Sequence, residues 1–327
     1  MEGQLGFNCH GKGRVRLVKV VRQADGFHDL IQLNIQILLE GDAVTTAFIT
    51  GDNSNVVPTD TCKNTVYCLA KAHSFESIEE FGMIICRHFL IQHASVVNKI
   101  TVDITKDNWQ RIKAPDSKGN MTYHYHTFNR IGPKVTYTKA VGEKKGISSI
   151  SYSILSGLRN LELMKTTQSG FAGFRKDSYT SLPELTDRLL GTSVTCEWDW
   201  TPPTTSSTKC SATTTEAVSS NIDYNQVSAE VEETIINCFA GPAETGVYSA
   251  SVQQTLYDIG KSVLRVHPLI DKVVLYMPNI HNMVFPLDRY GHEVNDHTGQ
   301  PDIFYPIDEP HGMIKAEITR SFSRSKL

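Results

Sequence analysis

The segment Ile31-Gln32-Leu33-Asn34-Ile35-Gln36-Ile37 sets an aliphatic side chain at every second position and an amide between each pair. Successive side chains of an extended chain point to opposite faces, so this alternation describes a strand with one apolar and one polar face. Residues 14–20, just upstream, alternate in the same way, and the two segments are expected to pair. A helix is expected over about 60–71. A second begins at Ser77, where Ser77 and Glu80 have the spacing of a capping box ahead of Phe81, Ile85 and Phe89. Strand alternation returns at Ile100, Val102 and Ile104, then over 121–128 and 135–141.

The second half repeats this order. Strands are expected near 150–165 and 194–200, helices near 227–239 and 252–264, and strands again over 272–277 and 313–319. Val252, Leu256, Ile259 and Val263 mark one face of the last helix. Each half reads strand, strand, helix, helix, strand, strand, which makes the chain a duplicated α+β protein: antiparallel sheets with helices on one face. Sheets of this kind keep one polar face and open edges unless copies pair into closed barrels, so a homo-oligomer is expected. The Thr/Ser/Pro-rich stretch 201–220 reads as a surface loop.

The 327 residues suffice for two domains, expected at 1–146 and 147–327, and 40% apolar with 20% charged residues describe an ordinary globular chain. A formal net charge of -3 leaves no polyanion-binding footprint, so nucleic acid is not an expected partner. The seven cysteines are odd in number and form no close C-x-x-C pair, and they read as reduced thiols. No run approaches the roughly 18 apolar residues of a membrane span, and the N-terminus has no apolar core of a signal peptide. A soluble intracellular protein is expected, with no membrane partner. The last residues, Ser325, Lys326 and Leu327, spell the address read by the peroxisomal import receptor, so the expected location is the peroxisome.

Three segments carry groups suited to chemistry. Thr59 and Asp60 stand where a loop enters a helix, an end whose free N–H groups suit an anion, although such residues also serve as plain N-caps. Ser249-Ala250-Ser251-Val252-Gln253-Gln254 repeats that arrangement and adds the Gln253 amide, which both donates and accepts. Tyr276-Met277-Pro278-Asn279-Ile280-His281 ends a strand at a proline and projects Asn279 and His281; histidine moves protons near neutral pH. His124 and His126 share a strand face, but no motif fixes a third ligand, so no metal is expected.

Taken together, His10-Gly-Lys-Gly-Arg-Val-Arg16, Val57-Pro-Thr-Asp-Thr-Cys-Lys-Asn-Thr65, Ser169-Gly-Phe-Ala-Gly-Phe174 and Asp177-Ser-Tyr-Thr180 resemble the urate oxidase (uricase) family. Val252-Gln253, Met277-Pro-Asn-Ile-His281 and the terminal Ser-Lys-Leu extend the likeness over nearly the whole chain. The resemblance implies two tandem T-fold (tunnelling-fold) domains whose sheets pair into barrels between subunits, in a homotetramer with sites shared between subunits. It implies oxidation of urate by molecular oxygen to 5-hydroxyisourate and hydrogen peroxide, with no cofactor.

By the same likeness, Arg188 and Gln253 would grip the edges of urate, Phe171 would stack on its ring, and the Val252 N–H would bind a ring atom. Thr59 and Asp60 would reach the ligand from a neighbouring subunit, and Asn279 would position oxygen or water. Lys12, Thr59 and His281 would relay protons. Gly170 and Ala172 beside Phe171, and the long 201–220 stretch, depart from the family's pattern and put the rigidity of the pocket in question. Two alternatives stand beside this reading: another T-fold enzyme acting on pterins or purines, and a non-catalytic purine-binding or structural peroxisomal protein.

Overall fold

A computed structural model describes residues 3–146, 149–200 and 222–320. The 201–220 segment, Cys210 and the terminal Ser325-Lys326-Leu327 lie outside them. The chain forms two compact units, Met1–Gly157 with Asp199–Ser228, and Leu158–Trp198 with Ala229–Leu327.

The first unit contains strands β1 (His10–Arg22) and β2 (His28–Glu40), then helices α1 (Thr45–Ile49), α2 (Thr59–Ala72) and α3 (Ile78–Gln92). Strands β3 (Lys99–Pro115) and β4 (Met121–Lys144) follow. The strands lie in the order β1-β2-β3-β4, each antiparallel to its neighbour. The alternation that opens the sequence reading sets the register: Ile35 faces Val15 on one side and Ile104 on the other, and all three are buried. With Leu33, Ile37, Phe81 and Phe89 they form a core between the sheet and the two longer helices.

Helix α3 begins where the capping box is expected: the Glu80 N–H donates to Ser77 Oγ while the Glu80 carboxylate takes the Ser77 N–H. Such a cap contributes about 1 kcal/mol. Gly82 lets this helix approach the sheet closely, since a Cβ there would lie 2.8 Å from that of Ala140. The expected strands 121–128 and 135–141 are one continuous strand, β4. Its middle, where alternation lapses at Gly132 and Pro133, is a break in register, and pairing to β3 holds on either side of it, Arg130 with Trp109 and Val135 with Asp107. Backbone hydrogen bonds need no side-chain pattern.

The second unit takes in half of β5 (Ile150–Lys165) and most of β6 (Leu190–Trp200) and α4 (Tyr224–Ala240), then α5 (Val252–Val266). Strands β7 (Ile270–Tyr276), β8 (Asn279–Val284), β9 (Phe304–Gly312) and β10 (Lys315–Thr319) complete it. The order is β5-β6-β7-β10, with β8 pairing β6 and β9. Val252, Leu256, Ile259 and Val263 form the buried stripe of α5, as their spacing requires. Two strands, β8 and β9, go beyond the expected pattern. Proline ends β7, but the chain resumes as a strand at once, so Asn279 and His281 lie on β8 and not on a loose end.

Among the described residues no helix is long and apolar enough to cross a membrane, and no cluster of three or more metal-ligating side chains occurs. The six described cysteines are free.

Candidate active site

The functional residues expected from the sequence fall into two groups, one in each unit. In the first unit, Lys12 lies beside a β-bulge: Lys12 pairs with Ile37 but Val15 with Ile35, so β1 carries one extra residue. Arg14 takes up the extra length with φ 57°, and a bulge of this kind re-aims the side chains next to it. The half-buried Lys12 ammonium lies close enough to the start of α2 to act electrostatically on both Asp60 and Cys62.

At that helix start Pro58 is the cap residue and no side chain caps the end. Thr59 and Asp60 are therefore helical residues, which removes the plain N-cap alternative for this segment. The first backbone bond back into the loop is from the Cys62 N–H to the Pro58 carbonyl, so the N–H groups before it have no intrahelical partner. The Asp60 carboxylate is already engaged by Lys63 Nζ at 2.6 Å and Asn64 Nδ2 at 2.7 Å. The bond from Lys63, then that from Asn64, holds its carboxyl below the ordinary range, with Lys12 adding to the effect. What Asp60 can offer an anion is its backbone N–H, at the positive end of the helix.

In the second unit a short loop lattice brings most of the remaining residues together. The Phe171 N–H donates to the Leu185 carbonyl at 2.7 Å and the Leu185 N–H returns to Phe171 at 3.0 Å. The Arg188 N–H donates to Ser169 at 2.8 Å, and the Gly170 N–H to Ser249 at 2.9 Å. These bonds tie the Phe171 segment to the Arg188 segment on one side and to the entry of α5 on the other. The Arg188 guanidinium then lies 5.5 Å from the centre of the Phe171 ring.

Arg188 is half-buried, and among the described residues no carboxylate pairs with it; its Nε is buried without a partner. Burial pulls its pKa down, with Tyr248 opposing. A partly desolvated cation beside an aromatic face, with unused donors in a planar fork, is matched by a flat anion that accepts two hydrogen bonds.

At α5 the Ser251 hydroxyl caps the helix by accepting from the Gln254 N–H at 3.1 Å. The cap leaves the Val252 and Gln253 N–H groups free, and the Gln253 side chain is exposed. Asn279 and His281 lie two residues apart on β8, on either side of an irregularity in its pairing with β9. Burial, then the Arg188 charge, then His311 hold the His281 imidazole below its ordinary value. The lowered value favours the neutral imidazole, the form able to accept a proton.

Gly170 proves to be a requirement of the packing. A Cβ there would lie 2.1 Å from Tyr248 Oη and 3.0 Å from the Leu185 carbonyl. The Tyr248 hydroxyl fills that space and donates to the Thr186 carbonyl at 3.0 Å, latching the loop that holds Arg188. The glycine that left the rigidity of the pocket in question is where a tyrosine latch passes. Sequence reading missed Tyr248, Leu185 and His311, since a tyrosine or leucine with no periodic context carries no signal of its own.

A family model described as Uricase matches residues 8–141 and 154–315. The chain is 35% identical to a uricase of Dictyostelium discoideum over 97% of its own length and 98% of that protein. It is 36% identical to a uricase of Arabidopsis thaliana, with 96% of each chain covered. Its structure is similar to the crystal structure of a uricase from Arthrobacter globiformis, with a TM-score of 0.80 and 32% identity over 100% of this chain and 98% of that one. That likeness bears out the α+β T-fold expected from the resemblance. Two motif-bearing groups in the family's order, a fold shared end to end and identity of about a third over nearly the whole length place the chain in the uricase family.

Proposed function

We propose that the chain oxidises urate with molecular oxygen to 5-hydroxyisourate and hydrogen peroxide, without metal or organic cofactor. The observation that carries the reading is the Arg188 guanidinium, half-buried, unpaired among the described residues and set beside the Phe171 ring. Membership of the family makes the chain a urate oxidase. The finer roles below are our own reading.

Urate binds as an anion, flat against Phe171, with Arg188 and the Gln253 amide on its edges and the Val252 N–H on a ring nitrogen. Fixed donors stabilise the electron-rich form that reduces oxygen. Two electrons pass from urate to oxygen, which leaves as peroxide with both of its oxygen atoms. The hydroxyl added to the ring therefore comes from water, and the peroxide takes the proton released from that water together with the one urate lost in becoming an anion, giving hydrogen peroxide. Asn279 orients the oxygen or water, and neutral His281 accepts protons in a relay with Thr59 and Lys12.

Thr59, Asp60 and Lys12 belong to one unit and the remaining groups to the other. We read the complete site as assembled between copies of the chain in a homotetramer of tandem domains, 1–146 and 147–327, with sheets closed into barrels. The terminal Ser325-Lys326-Leu327 is read as a peroxisomal address, suited to an enzyme that makes peroxide.

The direct test mixes purified, chelator-dialysed protein with urate in air and follows urate absorbance and peroxide together. Equimolar peroxide per urate lost is expected. Activity that vanishes on dialysis and returns with one stoichiometric metal refutes the cofactor-free chemistry, and no urate loss at all refutes the substrate.

A further inference from the structure

Every polar atom of the buried Ser249 is engaged. Its N–H donates to the Gln168 carbonyl at 2.9 Å and its carbonyl accepts from the Gly170 N–H at 2.9 Å, which fastens it to the strand entering Phe171. Its hydroxyl faces Lys165 Nζ at 3.0 Å and Thr255 Oγ1 at 2.8 Å. Thr255 Oγ1 lies in turn 3.1 Å from the Ser251 carbonyl. Lys165, at the end of β5, also donates to the Val247 carbonyl at 2.9 Å and lies over the Phe239 ring. Among the described residues no carboxylate pairs with it.

Each hydroxyl has one proton to give. Lys165 can only donate, so Ser249 accepts from it and gives its own proton to Thr255, which passes its proton to the Ser251 carbonyl. All three donors are satisfied in this direction, and the chain is polarised from a cation at one end. Its far end is the carbonyl of the Ser251–Val252 peptide, whose N–H is the free first donor of α5. Donation into a peptide carbonyl draws charge from its N–H and strengthens that N–H as a donor.

We propose that Lys165 is a positioning residue: through Ser249 and Thr255 it orients and polarises the Ser251–Val252 peptide, so that the Val252 N–H binds the substrate anion more tightly. The inference rests on the proposed urate site and names what sets the strength of one of its donors. Lys165 does not touch the ligand. It acts equally on bound substrate and transition state, so its loss weakens binding without slowing the bound complex.

The test compares Lys165→Met and Thr255→Val with the parent, measuring urate KM and kcat in air, urate binding by equilibrium dialysis without oxygen, and the thermal midpoint. Thr255→Val keeps the side-chain shape and the cation but cuts the chain, so it carries the test even where Lys165→Met fails to fold. Both variants are expected to raise KM and the anaerobic Kd about five-fold, with kcat within about two-fold of the parent. A lowered midpoint and lowered kcat at parental KM mark a merely structural role and overturn the inference. Parental KM in both variants overturns it as well. If the parent itself neither binds nor oxidises urate, the proposed function fails first and this inference falls with it.

Discussion

Replacing Arg188 by methionine separates function from stability, because the structure gives the two effects different signs. The guanidinium is half-buried, its Nε lacks any partner and no described carboxylate balances it. Charge-assisted hydrogen bonds contribute about 1.5–3 kcal/mol each. Losing a two-pronged grip of this kind should cost about 3 kcal/mol of urate binding, or roughly a hundred-fold in Kd. In the empty protein the same cation is a partly desolvated charge without an ion pair, so an apolar residue of similar length should leave the folding free energy within about 1 kcal/mol of the parent or raise it. The Arg188 charge also depresses His281, so the variant should move the acid limb of kcat/KM to higher pH. The assay is anaerobic urate titration beside chemical denaturation and a pH–rate profile. A variant that loses several kcal/mol of stability while binding urate normally would show that Arg188 is a structural residue and would refute the reasoning.

Gly170→Ala should displace Tyr248 and open the loop, since the added carbon meets the phenol oxygen at 2.1 Å; a loss of about 1–3 kcal/mol with weakened urate binding is expected, and Gly170→Ala combined with Tyr248→Phe should recover part of it. Burial is the main cause that depresses His88, His93, His267 and His281 below the ordinary 6.5. The unfolded chain then binds more protons below that value, so stability should fall as pH drops through and below 6.5, read as a falling thermal midpoint. Buried Glu79, whose carboxyl is raised, works in the opposite sense, losing its contribution as pH rises, so Glu79→Gln should steepen the acid fall; a flat profile in that variant contradicts the argument. Finally, Thr59→Val and Arg188→Ala chains, each nearly inactive, should complement when refolded together, restoring about a quarter of parental sites if each site draws on two copies. Proven mixed oligomers without recovery would place both residues in one chain's site.

The amino-acid sequence alone determined what local periodicity and local hydrogen bonding can decide. Alternation over 31–37 placed β2 and its buried face, the alternating four- and three-residue spacing from Val252 to Val263 placed the stripe of α5, and Ser77 with Glu80 placed the start of α3. The residues of the candidate site, from Lys12 to His281, were legible through the resemblance, and all but Arg188 sit in one of its short motifs. Tertiary structure decided the rest. Strand β4 pairs with β3 on both sides of the break at Gly132 and Pro133, and β8 resumes after Pro278, because a neighbouring strand supplies backbone partners that no side-chain pattern announces. The joint at Ser249 draws on Lys165, Gln168, Gly170 and Thr255, up to 84 residues away. Gly170 looked like slack until Tyr248, 78 positions on, filled its missing Cβ. The resemblance named Arg188, but only the fold buries it beside Phe171 with no described carboxylate to balance its charge. Periodicity and capping act over a few residues and are written in order along the chain. Desolvation, polarised hydrogen-bond chains and steric latches depend on which distant segments the sheet brings into contact, and only the folded backbone sets that.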